Sequence, residues 1–167
     1  MPESHSDAIA LLKADHRKVE ALFAEFENAK GNKKQAIAQQ ICNELKIHTL
    51  IEEEIFYPAF RGKIDDDTLD EAYVEHDGAK LLVNDIAASQ PDADYFDAKV
   101  TVLAEEIRHH VHEEEMPSEG MFAQCRKSGV DLIALRDAML DRKEALMAQA
   151  QGAGLPPAAP RVVNVPA

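Results

Sequence analysis

The sequence predicts an all-α fold, an up-down antiparallel four-helix bundle with an additional C-terminal helix and an irregular Pro/Ala-rich tail. Three observations predict it. The 167 residues are rich in Ala, Glu, Lys and Leu, with 7 Gly and no Trp, a composition that suits helices. Apolar residues recur every three or four positions through four long segments, which is the helical period. Short connections join those segments, so consecutive helices are expected to be antiparallel neighbours. Residues 1–150 read as one bundle domain and residues 151–167 as a tail. The length is sufficient to bury a core without disulfide support.

The first helix opens at Ser4 or Ser6 and runs to about Ala29, with the stripe Ile9, Leu12, His16, Val19, Phe23, Phe26; Gly31-Asn32 stops it. The second runs from about Lys33 to Phe60 with the stripe Ile37, Ile41, Leu45, His48, Glu52, Ile55. Pro58 should disturb its last turns, because proline lacks an N–H and clashes with the preceding turn, and Gly62 ends it. The acidic run Asp65-Asp66-Asp67 caps a third helix near Thr68 that carries Leu69, Tyr73, His76, Leu82 or Val83, and Ile86. Ser89 to Asp92 is a loop. The fourth helix spans about Ala93 to Glu115 with the stripe Phe96, Val100, Leu103, Ile107, His110, Glu114, and Pro117-Ser118-Glu119-Gly120 breaks it. A fifth helix takes Asp131 as its N-cap and places Leu132, Leu135, Met139 and Leu146 on one face, to pack on the bundle or to self-associate. From Gly152 the chain is expected to be a tail that is mobile or lies on the surface.

The formal net charge of −13 argues against nucleic acid and anionic membranes as partners, since phosphate binding needs a basic face. No apolar run approaches the roughly 20 residues of a membrane span. Met1 to Lys13 has no basic stretch followed by an apolar one, so it does not read as a signal peptide. Cys42 and Cys125 form no C-x-x-C pair. A cytoplasmic location with reduced thiols is the expectation. Cys42 is expected to be buried, and Cys125, near the break after the fourth helix, to be exposed.

The chemistry lies in a repeat. His16 is followed 32 residues later by His48-x-x-x-Glu52, and His76 is followed 34 residues later by His110-x-x-x-Glu114. Asp15-His16-Arg17 is echoed by Glu75-His76-Asp77. His and Glu at i and i+4 stack one turn apart on one helix face, and each continues an apolar stripe inward. A buried carboxylate without a partner costs several kcal/mol, so two of them beside four imidazoles call for cations. Two carboxylates and four imidazoles would make a cage for two ions with positions left open for exogenous ligands. Imidazole suits iron, zinc, copper and nickel, and bridging carboxylates suit pairs of hard or borderline ions, so the residue types alone leave the metal open, manganese or zinc included. His109 with Glu113 has the same spacing, but the stripe points to His110 and Glu114. His112 is expected at the rim. Glu53, Glu54, Glu113 and Glu115 are expected on the solvated outer face, and Tyr57 and Tyr73 mainly to pack. No H-E-x-x-H, glycine-rich phosphate loop or G-x-S-x-G occurs.

On the segments Asp15 to Val19, His48 to Pro58, Glu75-His76 and His110 to Glu115, the chain resembles the hemerythrin-like family, also called the HHE cation-binding domain, over about residues 4–147. The resemblance implies a four-helix bundle around a non-haem di-iron site, oxo- or hydroxo-bridged, with His16, His48, His76 and His110 as terminal ligands and Glu52 and Glu114 as bridges. It implies a small diatomic ligand (O2 or nitric oxide) or peroxide as partner, with storage of iron or divalent cations, or a di-iron oxidoreductase, as the alternatives. A protein partner or self-association is compatible with it. The oxygen carriers of this family take two His one turn apart from the third helix, whereas here Ala72 and Lys80 flank His76. They also use His-x-x-x-x-Asp on the last helix. The missing His favours sensing, peroxide or nitric oxide reactivity, or iron handling over reversible oxygen carriage.

Overall fold

Asp7 opens helix α1 (Ala8–Asn28), its carboxylate accepting the Ala10 amide at 2.8 Å. This side-chain cap satisfies one of the N–H groups that a helix start leaves without a partner. The computed structural model describes residues 4–164 and 166, and all regular structure among them is helical. After a turn at Gly31 (φ 58°), α2 (Asn32–Ile51) runs into a π-helical turn (Glu52–Phe56) and a short α3 (Tyr57–Phe60). Then come α4 (Asp66–Ala87), α5 (Phe96–Glu115), α6 (Met121–Lys127) and α7 (Leu132–Gln151). Helices α1, α2, α4 and α5 form the bundle: α1 packs on α2 and α5, and α4 on α2 and α5. α7 lies across α1 and α2 on the outside. No helix among the described residues is long and apolar enough to cross a membrane.

The core is split. One apolar cluster includes Leu12, Ile51, Phe56, Phe60, Leu69, Met121, Phe122, Met139 and Leu146. The other includes Val19, Phe23, Ile41, Leu45, Val83, Phe96, Val100 and Leu103. Along three of the bundle helices the His falls where one cluster gives way to the other: His16 between Leu12 and Val19, His48 between Leu45 and Ile51, His76 between Leu69 and Val83. A polar layer is therefore held between two dry ones, which fixes its side chains by packing on both sides.

The expected helices form, with three differences. The second helix leaves regular α geometry at Glu52, earlier than Pro58 itself, and the Tyr57 amide donates back to the Glu52 carbonyl, an i to i+5 bond. Pro58 has no N–H to offer the Glu54 carbonyl and its ring would crowd that carbonyl; widening the preceding turn relieves both. The helix expected from about Ala93 begins at Phe96, after Tyr95 adopts a left-handed conformation (φ 64°). Residues 121–127 form α6, which the sequence did not suggest. Its Cys125 is buried, not exposed. It buries Met121 and Phe122 as well, so an apolar cluster holds the segment that carries the thiol.

The tail from Gly152 is irregular and lies on α4. Asn84 exchanges two hydrogen bonds with the Ala158 backbone, at 2.9 and 2.8 Å. Lys80 donates to the Ala159 carbonyl at 3.0 Å. The Asp77 carboxylate accepts the amides of Arg161, Val162 and Val163 at 2.8–3.1 Å.

Candidate metal centre

The polar layer gathers one His from each bundle helix and one Glu from each of two of them. His16 (α1), His48 (α2), His76 (α4) and His110 (α5) are each no more than 6% exposed, and Glu52 and Glu114 are fully buried. His109, by contrast, is largely exposed and Glu113 lies outward, so α5 presents the His110 and Glu114 register to the interior. His112 is exposed at the rim.

The Nε2 atoms converge in two pairs, His16 with His48 at 3.2 Å and His76 with His110 at 3.1 Å. Each glutamate spans both pairs. Glu52 places Oε1 3.2 Å from His48 Nε2 and Oε2 3.1 Å from His76 Nε2. Glu114 places Oε1 3.1 Å from His110 Nε2 and Oε2 3.2 Å from His16 Nε2. The result is two adjoining donor groups, His16, His48, Glu52 and Glu114 on one side and Glu52, His76 and His110 on the other.

Two oxygens decide what the layer is suited to. Glu52 Oε1 and Glu114 Oε2 are buried and have no hydrogen-bond partner among the described residues. Orphaned buried carboxylate oxygens are rare and costly. Here each faces imidazole nitrogens at 3.2 Å, the arrangement that a cation between them would satisfy. The donor set fits metal binding, with Nε2 lone pairs and carboxylate oxygens aimed at common points.

The imidazoles are held from behind. His48 Nδ1 meets Asp15 at 3.1 Å, His110 Nδ1 meets Glu75 at 2.9 Å, His76 Nδ1 meets Glu53 at 3.1 Å, and His16 Nδ1 meets Glu115 at 3.3 Å. An ionised carboxylate can only accept, so each Nδ1 carries the hydrogen and each Nε2 is free to present its lone pair inward. The pattern obeys the repeat. The carboxylate before the first His of each half holds the second His of that half, and the carboxylate after each bridging Glu holds the first His of the other half. Glu53 and Glu115 were expected on the outer face. Glu53 is instead 2% exposed, bound by Lys80 at 2.8 Å, and Glu115 is half-buried and also pairs with Arg17. Glu54 does lie outward, paired with Arg142 at 2.8 Å.

Tyr57 is the residue whose placement spacing understated. Its ring is buried, and its hydroxyl lies 2.7 Å from Glu114 Oε1, 2.9 Å from Glu52 Oε2, 3.2 Å from His76 Nε2 and 3.3 Å from His110 Nε2. The π turn brings it there, because five residues now separate Tyr57 from the Glu52 whose face it shares. Tyr73 packs against the Tyr57 ring and lies 3.5 Å from the Glu53 carbonyl. On the opposite side Phe122 of α6 stacks on the His16 ring, centroids 5.9 Å apart and planes at 8°.

Burial opposes charge on Glu52 and His48, and the close partners overcome it. Burial and the Glu114 charge raise the Glu52 carboxyl, but His48 and His76 hold it at about 2. Burial lowers the His48 imidazole, yet Glu52 and Asp15 push it up to about 10, so a proton on Nε2 stands where a bound cation would replace it. Burial, reinforced by both glutamates, keeps the Tyr57 phenol far above its usual range and therefore protonated. The thiols take no part: burial pushes Cys42 up to about 11 and Cys125 to about 12.

The sequence model of the Hemerythrin HHE cation binding domain matches residues 7–121. The chain belongs to the hemerythrin HHE cation-binding family. A DNA nickase of Nostoc sp. (strain PCC 7120) is 34% identical over 119 residues, covering 71% of this chain and 33% of the relative, so the match spans about a third of that protein's length. The crystal structure of a hemerythrin HHE cation-binding domain-containing protein from Mycobacterium kansasii superposes with a TM-score of 0.71 at 18% identity, covering 89% of this chain and 94% of that one. This shows a shared fold.

Proposed function

We propose that this HHE domain holds two iron ions in the polar layer and that the centre binds or reacts with O2, nitric oxide or peroxide. His16 and His48 would hold one ion and His76 and His110 the other, with Glu52 and Glu114 shared between them. Manganese or zinc would find the same donors acceptable. When bound, an iron pair supplies redox chemistry and open coordination positions. The observation that carries the reading is the pair of orphaned oxygens, Glu52 Oε1 and Glu114 Oε2, set against imidazole nitrogens in a dry layer.

The chain's own residues favour a very small exogenous ligand. A void of about 20 Å³ lies against the layer, bounded by His16, His48, His76, His110, Ile107 and Val111. That is room for about one water-sized molecule. A wider cleft of about 560 Å³ outside it, with Arg17 and His112 on its walls, shares His16, Ile107 and Val111 with the void. Ile107 and Val111 thus stand between the solvent and the layer as an apolar gate that admits small neutral molecules. An organic substrate does not fit there. Storage is less well supported, because the two groups of the layer are the only clusters of metal-binding side chains found among the described residues. The nicking activity named for the Nostoc protein belongs to a chain of which the match spans about a third, and a net charge of −13 works against DNA here.

The test is elemental analysis of protein purified without added metal, followed by stopped-flow mixing of the reduced protein with O2, peroxide and nitric oxide. Two irons per chain and a rapid optical change with at least one of the three are expected. Zinc alone, no metal, or many ions per chain would refute the reading. A lasting adduct would indicate binding, and repeated turnover an enzyme.

A further inference from the structure

Away from the cage, the tail encloses space instead of filling it. A cavity of about 400 Å³ lies between α2, α4, α7 and residues 155–161. Its size falls in the range of small-molecule sites. Its apolar surfaces are Leu50, Leu146, Leu155, Pro156 and Pro157. Consecutive prolines present no N–H, so that wall offers no donor to water. The wall is held in place by the bonds of Asn84, Lys80 and Asp77 to the backbone of residues 158–163.

Four cations line this cavity, and only three are matched. Lys80 is neutralised by Glu53 and Asp77, at 2.8 and 3.2 Å. Arg142 is paired with Glu54 at 2.8 Å, and Arg161 with Glu53 at 2.9 Å. Lys46 is 9% exposed, lines the cavity and has no carboxylate or hydrogen-bond acceptor among the described residues. The burial is of its hydrocarbon stem, while the ammonium is not among the sealed-off polar atoms and stays accessible at the cavity. Glu53, Asp77 and Glu54 serve three of the cations, and among the described residues Lys46 is the cation lining the cavity that has no carboxylate.

We infer that this cavity binds a small amphipathic carboxylate, its hydrocarbon part against Leu50, Leu146, Leu155 and the two prolines and its carboxylate on the Lys46 ammonium. One uncompensated charge selects a monoanion, and the apolar walls select a hydrocarbon body over a hydrated inorganic ion. Occupancy of the cavity needs no cation in the cage, from which it is separated by Thr49, a residue that borders both the cavity and the small inner void.

Titration calorimetry of octanoate into the purified full-length protein tests this, with octanamide as a neutral analogue and inorganic phosphate as a compact anion. Saturable binding of one octanoate per chain is expected, with octanamide and phosphate each at least tenfold weaker. Lys46→Met, which keeps the apolar stem, should weaken octanoate at least tenfold and leave octanamide unchanged. Equal binding of octanoate and octanamide, equal binding of phosphate, unchanged binding in Lys46→Met, or no saturable binding would each overturn the inference. Should Lys46→Met fail to fold, the comparison of octanoate with octanamide on the natural chain decides.

Discussion

Glu53 differs from Glu54 by one position and by everything that surrounds it. It lies in the interior between His76 Nδ1 and the Lys80 ammonium, whereas Glu54 meets Arg142 at the surface. Removing a carboxylate that orients a ligating imidazole typically costs 10–100-fold in metal affinity. Glu75→Gln, which leaves the tail contacts of Glu53 untouched, is expected to weaken ferrous ion binding by about that factor, measured by competition with a chromophoric chelator. Glu53→Gln should do the same, and Glu54→Gln should leave affinity unchanged. An unaltered affinity in Glu75→Gln would remove the orienting role assigned to these acids. The inward facing of His16, His48, Glu52, His76, His110 and Glu114 was legible in the sequence because each lies on an apolar stripe and inherits its direction. Asp15, Glu53, Glu75 and Glu115 were not, because each sits one position off its stripe and reaches a His on another helix. Only the packing of the helices makes those contacts, although their adjacency to every first His and every bridging Glu was visible as a repeat.

At the scale of elements, the four bundle helices followed from period and breakers, and the π turn and α6 did not. The π turn requires knowing how the chain resolves a proline inside a helix. The choice to widen the turn ahead of Pro58, and so to aim Tyr57 at the cage, is made by the buried partners of Tyr57. Helix α6 is too short to show a period, and what holds it is the burial of Met121, Phe122 and Cys125. Its position depends on the tight bend after α5. A Cβ on Gly120 would stand 2.4 Å from the Met116 carbonyl oxygen and 2.7 Å from its nitrogen, both backbone atoms that cannot yield. Gly120→Ala is therefore expected to destabilise the fold by about 1–3 kcal/mol, the usual cost of forced overpacking. Urea denaturation followed by circular dichroism measures it, and a midpoint equal to that of the natural chain would contradict the bend described here.

For the molecule as a whole, the polar layer joins all four bundle helices at one level, midway between two apolar clusters. An ion that binds the native state alone adds stability by mass action, about 4 kcal/mol when its free concentration is a thousandfold above its dissociation constant. Stripping the metal with a chelator should lower the melting temperature, and restoring ferrous ion should recover it. Identical melting with and without chelator would mean that the four helices do not depend on a shared cation. The layer is also lopsided. The Tyr57 hydroxyl lies against His76 and His110, where a pocket of about 60 Å³ reaches His110, while the wider outer cleft reaches His16. Two otherwise twin seats thus have different neighbours, one with an additional oxygen at hand and the other nearer the entrance. Stepwise addition of iron to the empty protein should consequently populate a half-filled species, with one seat taken before the other.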